Sequence, residues 1–423
     1  MYALCDGNSF YCNVEKIFDP SIRQKPVVVL SNNDGCVVAA CGITKKLGVA
    51  YKFKPYFQIK KELDAAGVIP RSSNYALYAD LSKKMMDTCA RFAKVSYVYS
   101  IDECFLDFGD FYSANNTEQW LEIGHLIRRT VWREVRLPIG VGIGSTLTLA
   151  KAANHASKRI TGYTGVAVIN NEETRKHILS QMELTDVWGI GSKLGKRLSA
   201  LGYKSAWELS RADPQVIRKL FSILVENTVR ELNGEIRLQW DEHRPGKKEI
   251  YSTRSFGQRV TSKDELRMSL IAHAEAVARK LRKQGSATKT LVVFASNSVH
   301  DDERLYSKSM VVKLETASCD TRVIAQHVSS VINILYRAGI RFHKSGVGAL
   351  DIRPSVELQQ DMFSTNEDNI GLMTCLDDIN ARYGKGTLHV AAKGFVRNST
   401  MKRDYLSPQY TTNWAHIPKV NCN

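Results

Sequence analysis

The chain has 423 residues, 43% hydrophobic and 24% charged: an ordinary globular composition, too long for one core, which predicts roughly three or four domains. Its 59 Lys and Arg against 43 Asp and Glu leave a formal net charge of +16 and a pI near 9.3, an excess that points to a polyanionic partner. No run approaches the roughly 18 apolar residues of a membrane span, and Asp6 interrupts the apolar start before an export signal forms, so a cytoplasmic protein without a membrane partner is expected.

In chain order, an apolar start (Met1 to Cys5) reads as a strand that ends on Asp6, followed by a turn and a helix. Pro26 to Leu30 is a second strand and Asn32-Asn-Asp-Gly35 a turn. A helical stretch from Tyr75 to about Phe92 leads into two short β-rich runs, Tyr97 to Ile101 and Cys104 to Phe108, which place Asp102 and Glu103 at a hairpin tip. A helix near 117–134, a glycine-alternating strand (Ile139-Gly-Val-Gly-Ile-Gly144) and a basic helix from Thr146 to Lys158 complete an α+β unit expected to rest on an antiparallel sheet. Residues 168–235 turn helical around Trp188-Gly-Ile-Gly191. A polar linker at 241–248 then opens a second α+β segment over 243–353, with a strand at Leu291 to Ala295, helices near 264–284 and 322–338, and a last strand near 345–352. That stretch from 241 carries 20 Lys and Arg against 12 Asp and Glu, half of the whole chain's positive excess. Beyond Pro354 the chain becomes polar and acidic and ends in a basic region around Trp414.

Nine cysteines stand singly with no Cys-x-x-Cys pair, which argues against zinc and for reduced core thiols. The chemistry concentrates instead in Asp6, Asp102 and Glu103. Three crowded carboxylates raise one another's pKa unless divalent cations neutralise them, and hard oxygen donors suit Mg²⁺, with Mn²⁺ as a substitute. Nucleotidyl transfer uses such a cluster with two ions; Asp6 and Asp102 would bridge both, Glu103 would complete one site, and the Gly7 carbonyl is a natural further ligand.

Lys151 and Lys158 lie seven residues apart on one helix face, where Lys158 either reaches a triphosphate or is a solvated surface group. The same two readings stand for Lys45 and Lys46. Backbone N–H groups of Phe10 and Tyr11, at the turn into a helix, offer a phosphate site. Gly189 and Gly191, with Leu194 and Leu198 at helical spacing, suggest a helix-hairpin-helix whose Lys193, Lys196 and Arg197 grip DNA phosphates; a plain turn between packed helices is the alternative. Gln359-Gln-Asp-Met-Phe363, in a polar stretch, has the form of a docking peptide with Gln359, Met362 and Phe363 as anchors.

Together, Asp6-Gly-Asn-Ser-Phe-Tyr11, Leu30-Ser-Asn-Asn-Asp-Gly-Cys36, Ser73-Asn-Tyr-Ala-Leu-Tyr-Ala-Asp80, Tyr99-Ser-Ile-Asp-Glu103, Val187-Trp-Gly-Ile-Gly191, Arg254-Ser-Phe-Gly257 and Met401-Lys-Arg…Leu406-Ser-Pro resemble the Y-family translesion DNA polymerases. Over essentially the whole chain the closer resemblance is to UmuC-type catalytic subunits of bacterial DNA polymerase V, plasmid-borne relatives included. It implies an α+β right-hand polymerase: palm 1–17 and 78–167, small fingers 18–77, helix-hairpin-helix thumb 168–235, little finger 243–353, and a C-terminal region, 354–423, that binds the clamp and an accessory subunit. It further implies Asp6, Asp102 and Glu103 as catalytic metal ligands, Tyr11 as the steric gate against ribose, Lys45 and Lys158 on the triphosphate, and Cys36 and Val38 as a small roof over the nascent base pair. Gln359–Phe363 falls where the family has its sliding-clamp motif. The implied partners are primer-template DNA, dNTP, a processed UmuD-like dimer, the RecA filament and the β sliding clamp, at the nucleoid during the SOS response. Gly42, Ala39 and Leu147 depart from the pattern, standing where many members have tyrosine, threonine and lysine, and weaken the expected phosphate grip.

Two rivals come from other classes. A DNA-binding or checkpoint protein with little catalysis would need only the basic thumb and little finger, and the acid cluster speaks against it. A nucleotidyl cyclase shares a palm-like sheet with paired acids but has no use for a DNA grip.

Overall fold

The computed structural model describes residues 1–48, 51, 54–112, 116–240, 246–357, 368–394 and 401–417. The chain divides into two compact units, Met1–Glu242 with Arg403–Asn423, and His243–Lys402. The last segment therefore returns to the first unit after the second has been built.

The first unit holds two sheets. Strands β1 (Tyr2–Gly7), β2 (Val27–Leu30), β3 (Val37–Ala40), β4 (Ile69–Ser72), β5 (Val95–Val98), β6 (Glu103–Asp107), β7 (Ile139–Gly144) and β8 (Val166–Ile169) follow in sequence. The larger sheet has the order β5-β6-β1-β7-β8 and the smaller β3-β2-β4. The expected antiparallel sheet is present for the first four strands, but β7 and β8 run parallel. The helix Leu147–Arg159 supplies the crossover that a parallel pair requires. Strand β2 in the smaller sheet is Val-Val-Val-Leu, buried at every position, and it lies between its two neighbours.

The glycine alternation of β7 has a packing cause. Successive strand residues face opposite sides, so Gly140, Gly142 and Gly144 share one face. A Cβ on Gly142 would lie 2.0 Å from the Asn154 backbone nitrogen, and one on Gly144 2.6 Å from that of Ala150. Bare strand backbone thus receives the helix Leu147–Arg159 directly, and Asn154 Nδ2 donates to the carbonyls of Leu4 (3.2 Å) and Gly140 (2.9 Å) across the contact. Residues 172–232 add a set of short helices with their own apolar core, including Ile178, Leu198, Ile217 and Val229.

The second unit is a four-stranded antiparallel sheet, β11-β10-β12-β9, from β9 (Ile250–Val260), β10 (Ser286–Ser296), β11 (Ser307–Ser318) and β12 (Phe342–Pro354). The two strands expected here, Leu291 to Ala295 and 345–352, fall within the longer β10 and β12, while β9 and β11 were not expected. Helices Lys263–Lys283 and Thr321–Ser330 pack against it, and the helix Ile370–Tyr383 is fastened by a two-pronged pair from Arg282 to Asp377 at 2.7 and 2.8 Å.

Candidate active site

Strand β1 carries Asp6 at its last but one position, directly opposite Glu103 at the start of β6. The hairpin tip lies at 99–102, one residue earlier than expected, so Glu103 is already a strand residue. Asp102 remains on the tip, where its carbonyl accepts from Gly7 N at 2.8 Å. Ser100 Oγ organises this turn, donating to Asp102 Oδ1 (2.6 Å) and accepting from the backbone N–H groups of Asp102 and Glu103. Strand pairing and one turn thereby bring the three predicted acids to one end of the sheet.

Two cations meet them from the helix seated on β7. Lys151 Nζ lies 3.1 Å from both Glu103 oxygens, and Lys158 Nζ pairs with Asp6 Oδ1. All four side chains are about three-quarters or more buried. Burial raises the Glu103 carboxyl above its usual range; Lys151 opposes this and Asp6 adds to it. A carboxylate set of this kind, with oxygen donors only and a charge that two lysines now offset, fits hard divalent cations.

The sequence placed Lys151 beside Lys158 but gave it no role. Its surroundings supply one: Nζ stands 4.4 Å from the Tyr99 ring centroid and 5.4 Å from that of Trp188, whose Nε1 donates to Tyr99 Oη at 3.2 Å. Trp188 belongs to the Trp-Gly-Ile-Gly turn, so that turn closes over the lysine facing Glu103. Glu231, fully buried, was also missed. It accepts from the N–H groups of Thr148, Arg237 and Leu238 and ties the start of the lysine-bearing helix to the helical segment. Nothing in the local pattern around Glu231 separates it from a surface acid.

Tyr11 is the second residue of the helix Phe10–Phe18, half-buried, stacked on Tyr78 at 4.7 Å and edge-on to Tyr75 at 6.4 Å. Burial raises its hydroxyl pKa, with Tyr75 and Asp102 adding. Ser9, in the left-handed region at φ 44°, starts that helix without a side-chain cap, leaving the N–H groups of Phe10 and Tyr11 at an open N-terminus. Lys45 Nζ reaches across to donate to Ser9 Oγ at 3.0 Å.

Other predicted residues sort differently. Cys36 and Val38 are half-buried, Cys36 held by Ser31 Oγ at 3.0 Å. A Cβ at Gly42 would meet no atom within 4 Å. Leu147 is buried among Leu4, Phe105 and Trp188 and faces no solvent phosphate. Gly189 has φ +88° and Gly191 begins the helix Ser192–Ala200, with Lys193 and Lys196 exposed beside it. Arg197 is committed locally: it donates to the Leu220 carbonyl at 2.9 Å and covers the Phe221 ring at 4.5 Å. Gln359, Met362 and Phe363 lie outside the described residues. The cysteines, read as scattered, include three that converge: Cys5, Cys89 and Cys104 bring their sulfurs within 4.8 Å of one another, all buried, just behind Asp6 and Glu103.

Among known proteins, the impB/mucB/samB family profile matches residues 5–155, its C-terminal domain residues 247–362, and the IMS family HHH motif residues 172–203. A domain of unknown function (DUF4113) matches residues 371–420. Protein UmuC of Salmonella typhimurium is 40% identical over 99% of this chain and all of its own length. Protein SamB of the same organism is 39% identical over 99% of both. A solved Y-family DNA polymerase chimera superposes with a TM-score of 0.63 over 83% of this chain and 98% of that one; at 19% identity it speaks for the fold.

Proposed function

We propose, for a chain that belongs to the impB/mucB/samB family of Y-family DNA polymerases, that template-directed nucleotidyl transfer past damaged bases takes place at Asp6, Asp102 and Glu103 by a two-metal route. The observation that carries this is the direct cross-strand pairing of Asp6 with Glu103 beside the Asp102 tip, faced by two lysines of one helix. Asp6 and Asp102 would hold two divalent ions, Mg²⁺ or Mn²⁺, with Glu103 and the Gly7 carbonyl completing the set. When bound, such ions make the primer 3′-hydroxyl a better nucleophile and offset the charge of the triphosphate. Lys158 then leaves Asp6 for the triphosphate, joined by Lys45 and the N–H groups of Phe10 and Tyr11. Lys151 stays beneath Glu103 and limits its repulsion from Asp6. The Tyr11 ring occupies the place of a ribose 2′-hydroxyl and rejects ribonucleotides.

Cys36 and Val38 form a small roof over the new base pair, and a roof that presses little discriminates little between fitting and distorted pairs. Gly189, Gly191, Lys193 and Lys196 hold the duplex by its phosphates, with Arg197 bracing that turn. Beyond DNA and dNTP, the reading includes a processed UmuD-like dimer, the RecA filament, a β sliding clamp engaged through Gln359–Phe363, and a role in the SOS response in the cytoplasm. The experiment is primer extension opposite an abasic site with Mg²⁺ and dNTPs, with and without a processed UmuD-like partner and activated RecA. Extension through the lesion supports the reading; DNA binding without extension in any arm refutes it.

A further inference from the structure

The helix that carries Tyr11 rests on a buried carboxylate. Glu15, one turn on from Tyr11, is 1% exposed, and its Oε1 accepts from Tyr78 Oη at 2.7 Å. Tyr78, itself fully buried, is the ring on which Tyr11 stacks. The same Glu15 oxygen accepts from Ser407 Oγ at 3.1 Å, a partner 392 residues away. A carboxylate out of water is costly unless its oxygens are satisfied, so this distant hydroxyl is part of what keeps Glu15, and with it Tyr78, in place.

Ser407 is held from several sides. Asn74 Nδ2 donates to Ser407 O (3.1 Å), Ser407 Oγ (3.0 Å) and Pro408 O (3.2 Å), while its Oδ1 caps the helix Tyr75–Ala90 that carries Tyr78. Just before it, Tyr405 exchanges bonds with Ser72, its N donating to Ser72 Oγ and its carbonyl accepting from Ser72 N, each at 3.0 Å. Asp404 N donates to the buried Asp34 at 2.8 Å. Just after it, Tyr410 stacks on Phe18, at the end of the Tyr11 helix, at 4.9 Å. The returning segment thus grips the Tyr11 helix at Glu15 and Phe18 and the Tyr78 helix at Asn74.

We propose that residues 404–410 are a positioning element for the sugar gate. Ser407 fixes Tyr11 through Glu15 and Tyr78, and so sets how strongly a ribose 2′-hydroxyl is rejected. This rests on the reading of Tyr11 given above. With Ser407 in place, the Tyr11 ring has a rigid backing and its clash with a ribonucleotide cannot be relieved by retreat. Without it Glu15 draws its partners elsewhere, the backing ring tilts, and the gate yields.

The test is the ratio of kcat/KM for a dNTP to that for the matching rNTP, measured on the full chain with primer-template DNA and Mg²⁺. The variants are Ser407→Ala, Ser407→Thr, Tyr78→Phe and Tyr11→Ala. Small displacements of a positioning group are costly, so Ser407→Ala and Tyr78→Phe are each expected to lower the ratio by about three- to tenfold, Ser407→Thr to keep it, and Tyr11→Ala to lower it most. A purely structural role for the segment would depress incorporation of both nucleotides alike and leave the ratio alone, which overturns the proposal. Tyr78→Phe breaks the same relay within the core, so the answer stands even if Ser407→Ala fails to fold. If Tyr11→Ala itself leaves the ratio intact, it is the gate reading that fails; if only Tyr11→Ala changes it, the gate stands and the positioning role falls.

Discussion

Replacing Gly142 by alanine should separate the lysine-bearing helix from its sheet. The new Cβ would stand 2.0 Å from Asn154 N and 2.4 Å from the Ala150 carbonyl oxygen, both backbone atoms that no rotamer change can move. Ordinary contact needs roughly 3.5 Å, so the helix Leu147–Arg159 must retreat by about 1.5 Å, at the cost of Asn154's bonds to Leu4 and Gly140. Overpacking of this kind costs about 2–3 kcal/mol or more, and a unit of this size loses about 2–4 °C per kcal/mol, so the Tm of the first unit should fall by about 5–10 °C. Gly140 is the informative contrast. Its Cβ would meet Lys158 Cε at 2.5 Å, the far part of a flexible side chain that can swing away. Gly140→Ala should therefore leave Tm nearly unchanged while moving Lys158 off Asp6 and raising KM for dNTP. Gly42→Ala, with nothing within 4 Å of the new atom, serves as the neutral control. Thermal unfolding followed by near-UV circular dichroism, with steady-state kinetics on the same preparations, reads both effects. A Gly142→Ala chain that melts within about 1 °C of the parent would refute the packing argument, given the marginal room a core offers.

In the second unit, burial pushes the His273 imidazole down to about 4, with Arg254 and Lys280 adding. It is therefore neutral when folded and takes up a proton in the unfolded chain near its usual value; its contribution is complete above pH ~6.5 and is lost as pH falls towards 4, by up to about 3 kcal/mol. Denaturation midpoints between pH 7 and 4 should fall less steeply for His273→Gln than for the parent, and parallel curves would discount the effect. At the Trp-Gly-Ile-Gly turn, replacing both Lys193 and Lys196 by alanine should reduce the slope of log K for DNA against log salt by about 2, since each phosphate contact contributes about 0.9; an unchanged slope would remove them from the DNA path.

The acids were legible because each ends or begins a short apolar run, and strand pairing then has few ways to arrange Asp6 and Glu103 other than side by side. The glycine alternation of β7 was visible too, but a period of two says only that one face is bare, not that a helix fills it. Glu231 and Glu15 were illegible for a common reason: each is an acid in an amphipathic helix with a partner from far along the chain, Thr148 for Glu231 and Ser407 for Glu15. The tail around Ser407 showed in the sequence as a basic end and as the Leu406-Ser-Pro element of the resemblance, but its place in the fold did not, because what organises it is hydrogen bonding to Asn74, Ser72 and Asp34 rather than apolar periodicity. The cysteines illustrate the same limit, since residues 5, 89 and 104 carry no spacing signal: the β1–β6 pairing sets Cys5 against Cys104, and Cys89 reaches them from the helix Tyr75–Ala90. Tertiary contacts of this kind leave no local pattern to read.

The central claim is that the β1 end and the 99–102 hairpin hold the metal ions that drive nucleotidyl transfer. Its most direct test is the single-turnover rate of one dNTP addition to an undamaged primer-template, with Mg²⁺, for the parent and for Asp102→Asn. The account predicts a fall of at least about a thousandfold with primer-template affinity retained, the loss of a metal ligand being worth about 4 kcal/mol in the transition state. An Asp102→Asn chain that adds the nucleotide within about tenfold of the parent rate would contradict the assignment of the chemistry to this site.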